Sequence, residues 1–578
     1  VTGWPEAGLQ PRATPEHRPD LWGHPAGTGG VAPTAFGRGA ATAPRNQIPT
    51  FVEGTTMFHA RRALRALLIP LFAGLALTTL PATSAHAAST LTNGGFESNG
   101  TGTATPTGWS TYSAAGQNSA SFTESGGHGG SYRLSHYSAS AYKVETYQYL
   151  SGLTNGNYKL TAWVRSGGGQ NSAYLALKNC GSAEQRTDIP VSAGGWIRIV
   201  TSIAVTNNQC TISVNSDANA GNWINVDDLT FTSGTTGLTV KGSDVSSLIK
   251  SEAKGGVYKN SSGTTGDALA ILKNAGQNYA RVKVWVNPAD GYNNKTRVLA
   301  AAKRIKAQGM KLLVDFHYSD TWADPGAQTV PSSWAGHSYS QLRTDVYNHT
   351  YDVLNALKSQ GTTADMVQVG NEINGGMLWS AGSTSNWSQL AGLLNSGYDA
   401  VKAVNSSTQV ALHLAKGGDL SGTRWWFDSA VSNGVKFDVI GLSYYGYWHG
   451  TLADFQTTLD DAASRYSKPV FLAETAYPFR LDSEDSHENI IDLSSELVSG
   501  YPATTAGQTR WMKDVASIVE AVPNGRGLGI FYWESTWTAR TGNGWDPTDS
   551  SSGNGWENQA LFGYDDHALP AMAWFGHR

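Results

Sequence analysis

The second half of the chain alternates between short apolar runs and longer helix-like stretches, and this alternation is the strongest constraint on its fold. Eight strand-like runs over about 340 residues, most of them separated by helical periodicity, predict a (β/α)8 TIM barrel, whose active site lies at the carboxyl ends of the strands. The predicted strands are Val240–Val245, Tyr279–Val286, Lys311–His317, Met366–Asn371, Val410–Leu414, Phe437–Tyr444, Pro469–Glu474 and Gly529–Trp533. The clearest predicted helices are Asn294–Gln308, Gln341–Ser359, Trp387–Val404, Leu452–Tyr466 and Thr505–Val522.

Two of these predicted strands end in a lone glutamate. Glu372 follows the apolar run Met366–Val369, and Glu474 ends the run that begins at Pro469. A glycosidase needs two carboxyl groups across a sugar ring, one as proton donor and one as nucleophile. The two glutamates therefore predict a glycosidase site, with a structural ion pair as the alternative.

Other polar and aromatic residues also cluster at the predicted strand ends. A hydrophobic core would not select so many of them, although a single histidine or tryptophan more often has a structural role. Trp533 would present a flat surface to the apolar face of a sugar ring. The candidate substrate-binding residues are Arg281, Trp285, Asn287, His317, Asp320, Trp322, Asn371, His413, Tyr444 and Trp533.

Four short motifs in this half resemble glycoside hydrolase family 53. They are Val284-Trp-Val-Asn-Pro288, Ser319-Asp-Thr-Trp-Ala-Asp-Pro325, Gly370-Asn-Glu-Ile373 and Glu474-Thr-Ala-Tyr-Pro478. The resemblance covers about residues 238–578. It implies an endo-β-1,4-galactanase that acts on type I arabinogalactan by a retaining mechanism, with β-1,4-galactan as its partner.

The same resemblance implies roles for individual residues. Glu372 is the implied acid/base and Glu474 the implied nucleophile. Asn371 would bind the 2-hydroxyl of the sugar at the cleavage site. Arg281 would keep the nucleophile ionised, and Tyr444 would donate a hydrogen bond to it.

An oxygen-rich loop follows the seventh predicted strand, at residues 482–489. Oxygen ligands at alternate positions can wrap a hard cation. Relatives that this chain resembles bind Ca²⁺ with such a loop, although Ser483 stands where they have a carboxylate. The expected cofactor is structural calcium, and a solvated acidic loop is the alternative. The implied ligands are Asp485, His487 and Asn489, with Asn554 and Glu557 as partners.

Residues 89–232 have a different pattern, with short strand-like runs separated by Gly, Asn and Ser. This pattern predicts an all-β sandwich. Its two ends, Asn93–Glu97 and Val226–Phe231, resemble jelly-roll carbohydrate-binding modules, and the module resembles family 61, which binds β-galactan. The resemblance implies a structural calcium ion at Glu97 and Asp228.

Aromatic residues are the expected sugar contacts of this module. The candidates for exposed stacking residues are Trp109, Tyr137 and Tyr142, whereas Trp163 and Trp196 are expected in the core. Residues 233–237 are rich in Gly, Ser and Thr and predict a short flexible linker to the barrel at 238–578.

Residues 1–56 show no apolar periodicity and are expected to be an unstructured upstream extension. Residues 57–87 have a basic start, an apolar centre and a small-x-small cleavage pattern at Ala85–Ala87, which predicts a signal peptide and a secreted protein without a membrane anchor. A transmembrane segment is the alternative. In an exported chain, Cys180 and Cys210 predict one disulfide, with two buried free thiols as the alternative.

Composition narrows the classes of partner. The net charge is −4 and no basic cluster lies outside the N-terminal region, which argues against nucleic acid. The chain has 20 Trp and 24 Tyr but only 15% charged residues, a balance that suits neutral polar ligands such as sugars. The leading hypothesis is a secreted, monomeric galactanase. Another retaining β-glycanase of the same clan and a catalytically inactive galactan-binding protein are the alternatives.

Overall fold

The computed structural model describes residues 91–577. The expected upstream extension and signal peptide lie outside the described residues. Between residues 91 and 577, none of the helices combines the length and the apolar character that a bilayer-spanning segment requires.

Residues 240–532 contain a closed barrel of eight parallel strands, as the sequence predicts. Each predicted strand corresponds to one barrel strand. The barrel strands are β11 (Val240–Asp244), β12 (Tyr279–Val284), β13 (Lys311–Phe316), β14 (Met366–Val369), β17 (Gln409–Leu414), β18 (Val439–Ser443), β19 (Val470–Thr475) and β20 (Gly527–Tyr532). Two very short strands, β15 (Gly376–Met377) and β16 (Gly382–Ser383), form a hairpin in the loop after β14.

Helices connect the barrel strands, and most of them begin with a capping side chain. Ser338 and Thr451 form capping boxes with Gln341 and Asp454, which satisfy the free N–H groups of the first turn. The helices are α1 (Leu248–Ala253), α2 (Ala268–Asn274), α3 (Lys295–Ala307), α4 (Tyr339–Ser359), α5 (Trp387–Val404), α6 (Leu420–Ser432), α7 (Leu452–Arg465) and α8 (Thr505–Glu520).

The interior of the barrel is filled by apolar side chains from every second position of its strands. One buried cluster joins Val240, Tyr279, Leu313, Met366, Ala411, Val439, Phe471, Ala473 and Phe531. Because this layer excludes water, the polar inward residues are confined to the carboxyl ends of the strands.

Residues 110–233 form two five-stranded antiparallel sheets, in agreement with the predicted all-β class. The strands are β1 (Ser110–Tyr112), β2 (Ser121–Ser125), β3 (Tyr132–Tyr137), β4 (Tyr142–Ser151), β5 (Gly156–Ser166), β6 (Gln170–Lys178), β7 (Gln185–Asp188), β8 (Ile197–Val205), β9 (Gln209–Ala218) and β10 (Trp223–Ser233). One sheet has the order β1-β4-β9-β6-β7 and the other β2-β3-β10-β5-β8. The jelly-roll assignment stays a prediction.

The predicted disulfide is confirmed, because Cys180 and Cys210 are bonded. It joins the end of β6 to the neighbouring strand β9. The predicted distribution of aromatics is wrong for Trp109 and Tyr142, which are only 4% and 3% exposed. The indole Nε1 of Trp109 donates to the carbonyl of Asn93, and the Tyr142 hydroxyl donates to two backbone carbonyls, so both rings are anchored inside.

The expectation that Trp163 and Trp196 lie in the core is also wrong, because both are only half-buried. Trp163 alternates along its strand with the buried residues Ala162 and Val164, so it lies on the face of the sheet that is turned away from the core.

The sheets and the barrel are joined by more than the linker. Arg198 of β8 donates to both carboxylate oxygens of Asp460 on α7, at 2.8 and 2.7 Å, and to the carbonyl of Ala521 after α8. The amide of Gln456 exchanges two hydrogen bonds with the backbone of Arg198. Arg510 of α8 also donates to the carbonyl of Ile189. This contact was not predicted from the sequence, which suggested two units joined by a flexible linker.

Loss of the Arg198 side chain is expected to destabilise the protein. The Arg198 and Asp460 side chains are only 16% and 20% exposed, so Arg198→Ala leaves a carboxylate in a poorly hydrated site. We expect a decrease of about 2–4 kcal/mol in the free energy of unfolding at pH 8, measured by chemical denaturation.

The loss should be smaller at pH 4. Burial raises the pKa of Asp460 to about 6 and Arg198 opposes that rise, so without Arg198 the ionised carboxylate costs more stability as pH increases. Arg186→Ala, which removes an exposed pair with Glu184, is the control and should change little. Equal effects of the two substitutions would contradict the account.

Candidate active site

Glu372 and Glu474 lie together at the carboxyl end of the barrel. Glu372 follows β14, and Glu474 is the fifth residue of β19. Ligand atoms of Glu372, Glu474 and His413 all lie within 4.8 Å of one another. This spacing suits direct attack by one carboxylate on the sugar. A wider gap between the two carboxyl groups is needed when a water molecule must fit between the sugar and one of them.

Arg281 organises the acidic groups at this end of the barrel. Its guanidinium is fully buried and donates to Asp244 at 2.9 Å and to Asp315 and Asn371 at 2.8 Å. The same group forms an ion pair with Glu474 at 2.9 Å. Arg281 therefore lies beside the second glutamate, as expected, and its role there stays a prediction.

Glu372 is held by neutral groups. The Ser443 hydroxyl donates to Glu372 Oε1 at 2.6 Å, and His413 Nε2 lies 2.7 Å from the same hydroxyl. Glu372 adopts a positive φ of 44°, a conformation that costs a non-glycine residue about 1–3 kcal/mol and that concentrates at functional sites.

The electrostatic surroundings of the two glutamates differ. Burial raises the pKa of Glu372 to about 7 and raises the pKa of Glu474 well above its usual range. Because the two carboxyl groups are so close, their ionisations are coupled, and the charge of Glu372 raises the pKa of Glu474 further. Arg281, at 2.9 Å, and the Tyr445 hydroxyl, at 3.2 Å, favour the ionised form of Glu474.

The predicted contact of Tyr444 is wrong by one residue. Side chains alternate along β18, so Ser443 points inward and Tyr444 points outward. The Tyr444 hydroxyl donates to the carbonyl of Gly450, and its ring stacks on Phe455 of α7 at 4.1 Å. The next residue, Tyr445, turns back to the interior and donates to Glu474.

His317 and three tryptophans form one wall of the site. His317 Nδ1 accepts from Trp285 Nε1 at 3.2 Å, so its Nε2 carries the proton and donates to Asp315 at 3.1 Å. Trp322 lies between Trp285 and Trp533, with ring centroids 5.3 and 5.8 Å away. These predicted residues are therefore brought together.

Asn287 and Asp320 are not part of that wall. Asp320 accepts from the backbone N–H of Asn287 at 2.9 Å and from the N–H and hydroxyl of Ser332. Both carboxylate oxygens thus brace two loops, and the Asn287 side chain is exposed. Asp320 therefore has a structural role, and substrate contact by Asn287 stays a prediction.

Strand-end reasoning overlooked Asp244, Lys283 and Gln368. Asp244 is the last residue of β11, just as Glu474 is the last residue of its predicted strand. The strand-end signal that identified Glu474 was therefore also present for Asp244. Lys283 lies two residues after Arg281, on the same face of β12, and its ammonium is 2.6 Å from Glu534. Gln368 donates to Asp315 from the inner face of β14, where the sequence reads as an apolar run.

The oxygen-rich loop at 482–489 meets the segment at 554–557. Asp485 accepts from the backbone N–H groups of His487 at 2.7 Å and Asn554 at 2.9 Å. Glu557 accepts from the backbone of Glu484. The two segments implied to share a cation are therefore in contact.

Two buried oxygens of this loop region have no partner among residues 91–577. They are Asn489 Oδ1 and Glu557 Oε2, and burial raises the pKa of Glu557 to about 7. Unpartnered buried oxygens of this kind are costly, and a hard cation would satisfy them. The residues present therefore fit calcium.

Glu97 and Asp228 both bind the loop at 126–131. Glu97 accepts from the N–H groups of Ser131 and Tyr132, at 2.8 and 2.7 Å. Asp228 lies 2.7 Å from His128 Nδ1. Both carboxylates are engaged by protein groups, and calcium between them stays a prediction.

Comparison with known proteins assigns the barrel to a family. Residues 240–575 match the sequence profile described as Glycosyl hydrolase family 53. The endo-beta-1,4-galactanase of Bacillus subtilis (strain 168) is 37% identical over 372 residues, covering 58% of this chain and 85% of that protein. The arabinogalactan endo-beta-1,4-galactanase A of Aspergillus niger is 39% identical over 309 residues, covering 52% and 86%.

A solved structure agrees with the sequence comparison. The Ignisphaera aggregans GH53 catalytic domain superposes with a TM-score of 0.56 at 40% sequence identity, covering 58% of this chain and 95% of that domain. The family match begins at Val240, the first residue of the barrel.

Proposed function

Because the chain belongs to glycosyl hydrolase family 53, we propose that it is a retaining endo-β-1,4-galactanase. The family and its galactanase relatives make it a glycoside hydrolase. The observation that carries the finer proposal is the carboxyl pair, with oxygens within 4.8 Å and one member paired with Arg281. Type I arabinogalactan is the proposed natural substrate, since the Aspergillus niger relative is named for arabinogalactan.

In the proposed first step, Glu474 attacks the anomeric carbon of the sugar. Glu372 gives its proton to the glycosidic oxygen as the bond to the leaving chain breaks, and an ester forms between the sugar and Glu474. In the second step, the ionised Glu372 takes a proton from water, and the resulting hydroxide attacks the same carbon. The ester breaks, Glu474 is released as a carboxylate, and Glu372 is protonated again.

Neighbouring groups serve these two steps. Arg281 and Tyr445 stabilise the Glu474 carboxylate before attack and on release. Asn371 Nδ2 donates one hydrogen to the Ala323 carbonyl at 2.7 Å, which leaves the second for the 2-hydroxyl of the sugar. Trp533 is the proposed stacking surface for a galactosyl ring.

Two exposed tryptophans support cleavage at internal bonds of a long polysaccharide chain. Trp379 lies in the hairpin loop after β14, and Trp448 lies in the loop after β18, and they are 36% and 47% exposed. Both loops rise from the end of the barrel that carries the carboxyl pair. Their indoles offer surfaces for sugar rings beyond the cleavage site.

Secretion and calcium binding belong to the same proposal. The signal-peptide pattern at 57–87 and the disulfide Cys180–Cys210 suit an exported protein. Asp485, His487, Asn489, Asn554 and Glu557 are the proposed calcium-binding residues, and the ion would link the loop at 482–489 to the C-terminal segment.

The function is tested by reducing-end release from β-1,4-galactan. The parent protein should cleave galactan, while Glu372→Gln and Glu474→Gln should each lower kcat by about 10³-fold or more with unchanged circular dichroism. Glu252→Gln, on an outer helix, is the matched control. Cleavage of a glucan or mannan in place of galactan would favour another β-glycanase, and binding without cleavage would favour an inactive galactan-binding protein.

Ser443→Ala should move the alkaline limb of the pH profile of kcat/KM. The Ser443 hydrogen bond favours ionised Glu372 and lowers its pKa, so its removal raises that pKa. The limb should shift upward by about one pH unit, while Ser443→Thr, which keeps a hydroxyl, should shift it less. An unchanged or lower limb in Ser443→Ala would contradict the assignment of Glu372 as the proton donor.

Calcium is tested by thermal unfolding. Chelation should lower the melting temperature of the parent by several degrees, because an ion that binds only the folded state adds a few kcal/mol, about 2.7 at one hundred times Kd. In Glu557→Gln, chelation should lower the melting temperature much less than in the parent. Glu488→Gln, an exposed carboxylate of the same loop, should keep the full decrease. Identical melting of the parent with and without chelator would remove the calcium proposal.

A further inference from the structure

The ammonium group of Lys283 lies among three aromatic rings. Its Nζ is 4.0 Å from the centroid of the Trp322 ring, 5.6 Å from that of Trp533 and 5.8 Å from that of Trp285. A cation this close to an indole is attracted by the negative charge of the ring face, and the attraction is strongest where water is excluded. The Lys283 side chain is only 2% exposed, so its contacts with these rings are made away from water.

A buried carboxylate fixes the position of this ammonium group. Glu534 Oε1 accepts from Lys283 Nζ at 2.6 Å, and Glu534 Oε2 accepts from the backbone N–H of Ser247 at 3.1 Å. Glu534 also adopts a positive φ of 42°, a strained conformation that persists only where surrounding contacts hold it. The ion pair with Lys283 is one of these contacts, and it acts on the residue that directly follows Trp533.

Trp533 is therefore held by Lys283 along two routes. The first runs through the backbone, because Glu534 is the next residue in the chain. The second runs through Trp322, whose ring centroid is 4.0 Å from Lys283 Nζ and 5.8 Å from the Trp533 centroid. Trp322 is itself fixed at its far edge, where its Nε1 donates to the carbonyl of Trp545 at 2.8 Å.

A second cation of β12 links the Trp533 ring to Glu474. The guanidinium carbon of Arg281 is 5.5 Å from the Trp533 centroid, almost the same distance as Lys283 Nζ, and Arg281 pairs with Glu474 at 2.9 Å. Arg281 and Lys283 are two residues apart on one strand, so their side chains point to the same face. The Trp533 ring thus lies close to two cations, one of which holds Glu474.

A gain in stability is a poor explanation for the Lys283–Glu534 pair. Two charges lose their hydration when they are buried, and apolar residues of similar size are often at least as stable in their place. Three tryptophans already surround this position, so an apolar side chain would match its surroundings. A charged pair adds direction instead, because the hydrogen bond and the attraction to the rings both depend on where the ammonium group lies.

We infer that Lys283 is a positioning residue, which orients the Trp533 indole through Glu534 and Trp322 and thereby places a sugar ring relative to Glu474. Lys283 acts through these residues and not on the reacting atoms. The inference rests on the proposed function, in which Trp533 is the stacking surface for a galactosyl ring.

The test is the double variant Lys283→Met with Glu534→Gln, which removes both charges and nearly keeps the size of both side chains. A misplaced sugar ring can still be bound through its neighbours in the polymer, but it reacts slowly, since a shift of about 1 Å can cost about 10²-fold in rate. We expect kcat on galactan to fall about 10- to 100-fold, while KM changes less than about threefold.

Two further measurements separate positioning from an electrostatic role. The limbs of the pH profile of kcat/KM should stay where they are in the parent, because the variant loses one positive and one negative charge together and Glu474 keeps Arg281. In a crystal structure of the double variant, the Trp322 and Trp533 rings should take up new orientations.

Lys306→Met with Asp365→Asn is the matched control. This ion pair, at 2.5 Å, joins α3 to the residue before β14, at the opposite end of the barrel. The control should keep the kcat and KM of the parent. Circular dichroism and thermal melting establish that each variant is folded.

Two outcomes would overturn the inference. A folded Lys283→Met, Glu534→Gln protein with the kcat of the parent would leave these residues as a structural ion pair only. Unchanged Trp322 and Trp533 rings in its crystal structure would do the same, whichever glycan the parent cleaves. If the parent cleaves another β-glycan in place of galactan, and the double variant loses kcat on that glycan, the proposed function fails and the role of Lys283 stands.

Discussion

The buried guanidinium of Arg281 is the interaction on which the active end of the barrel depends. It binds Asp244 of β11, Asp315 of β13 and Glu474 of β19, and it also donates to Asn371 after β14. Carboxylates so close together in a dry site could not all ionise without a central cation. Two residues later on the same face, Lys283 pairs with Glu534 in the same way. Strand β12 therefore supplies the positive charge around which the acidic strand ends are arranged.

This charge arrangement supports the proposed division of roles between Glu372 and Glu474. Glu474 faces Arg281 and the Tyr445 hydroxyl, while Glu372 faces the neutral Ser443 hydroxyl. Burial makes ionisation of both groups costly, and Glu474 is the one in direct ion-pair contact with Arg281. The strained φ of Glu372 and its high pKa are both unfavourable for stability, which is the pattern expected where a site is built for chemistry.

Sequence patterns were sufficient for the barrel and for the carboxyl pair, because period-two apolar runs and terminal glutamates are local signals. All eight strands are found, and Glu372 and Glu474 meet at one end. The prediction that Tyr444 contacts Glu474, when Tyr445 does so, shows the limit of such signals. At the end of a strand, a shift of one residue reverses the direction of a side chain, and only the packing of Phe455 against Tyr444 fixes it. Helix α6 escaped prediction because its sequence is rich in Gly, Ser, Thr and Trp, and its formation depends on tertiary burial of Trp426 and Phe427.

Long-range contacts could not be predicted from the sequence, for a different reason. Nothing local marks Arg198 as the partner of Asp460, or Trp163 and Trp196 as outward residues, because alternation along a strand does not say which face meets the core. Likewise, the sequence suggests that Asp320 contacts a ligand. Only the fold shows that its two carboxylate oxygens accept hydrogen bonds from the backbone of two loops.

The most direct test of the account is the configuration of the first product, observed by proton NMR during cleavage of galactan. If Glu474 attacks the sugar directly, with Glu372 close enough to serve both steps, the newly formed reducing end is β and converts slowly to the α form. A product that appears first as the α-anomer would mean that water attacks in a single step, and it would contradict the assignment of Glu474 as the nucleophile.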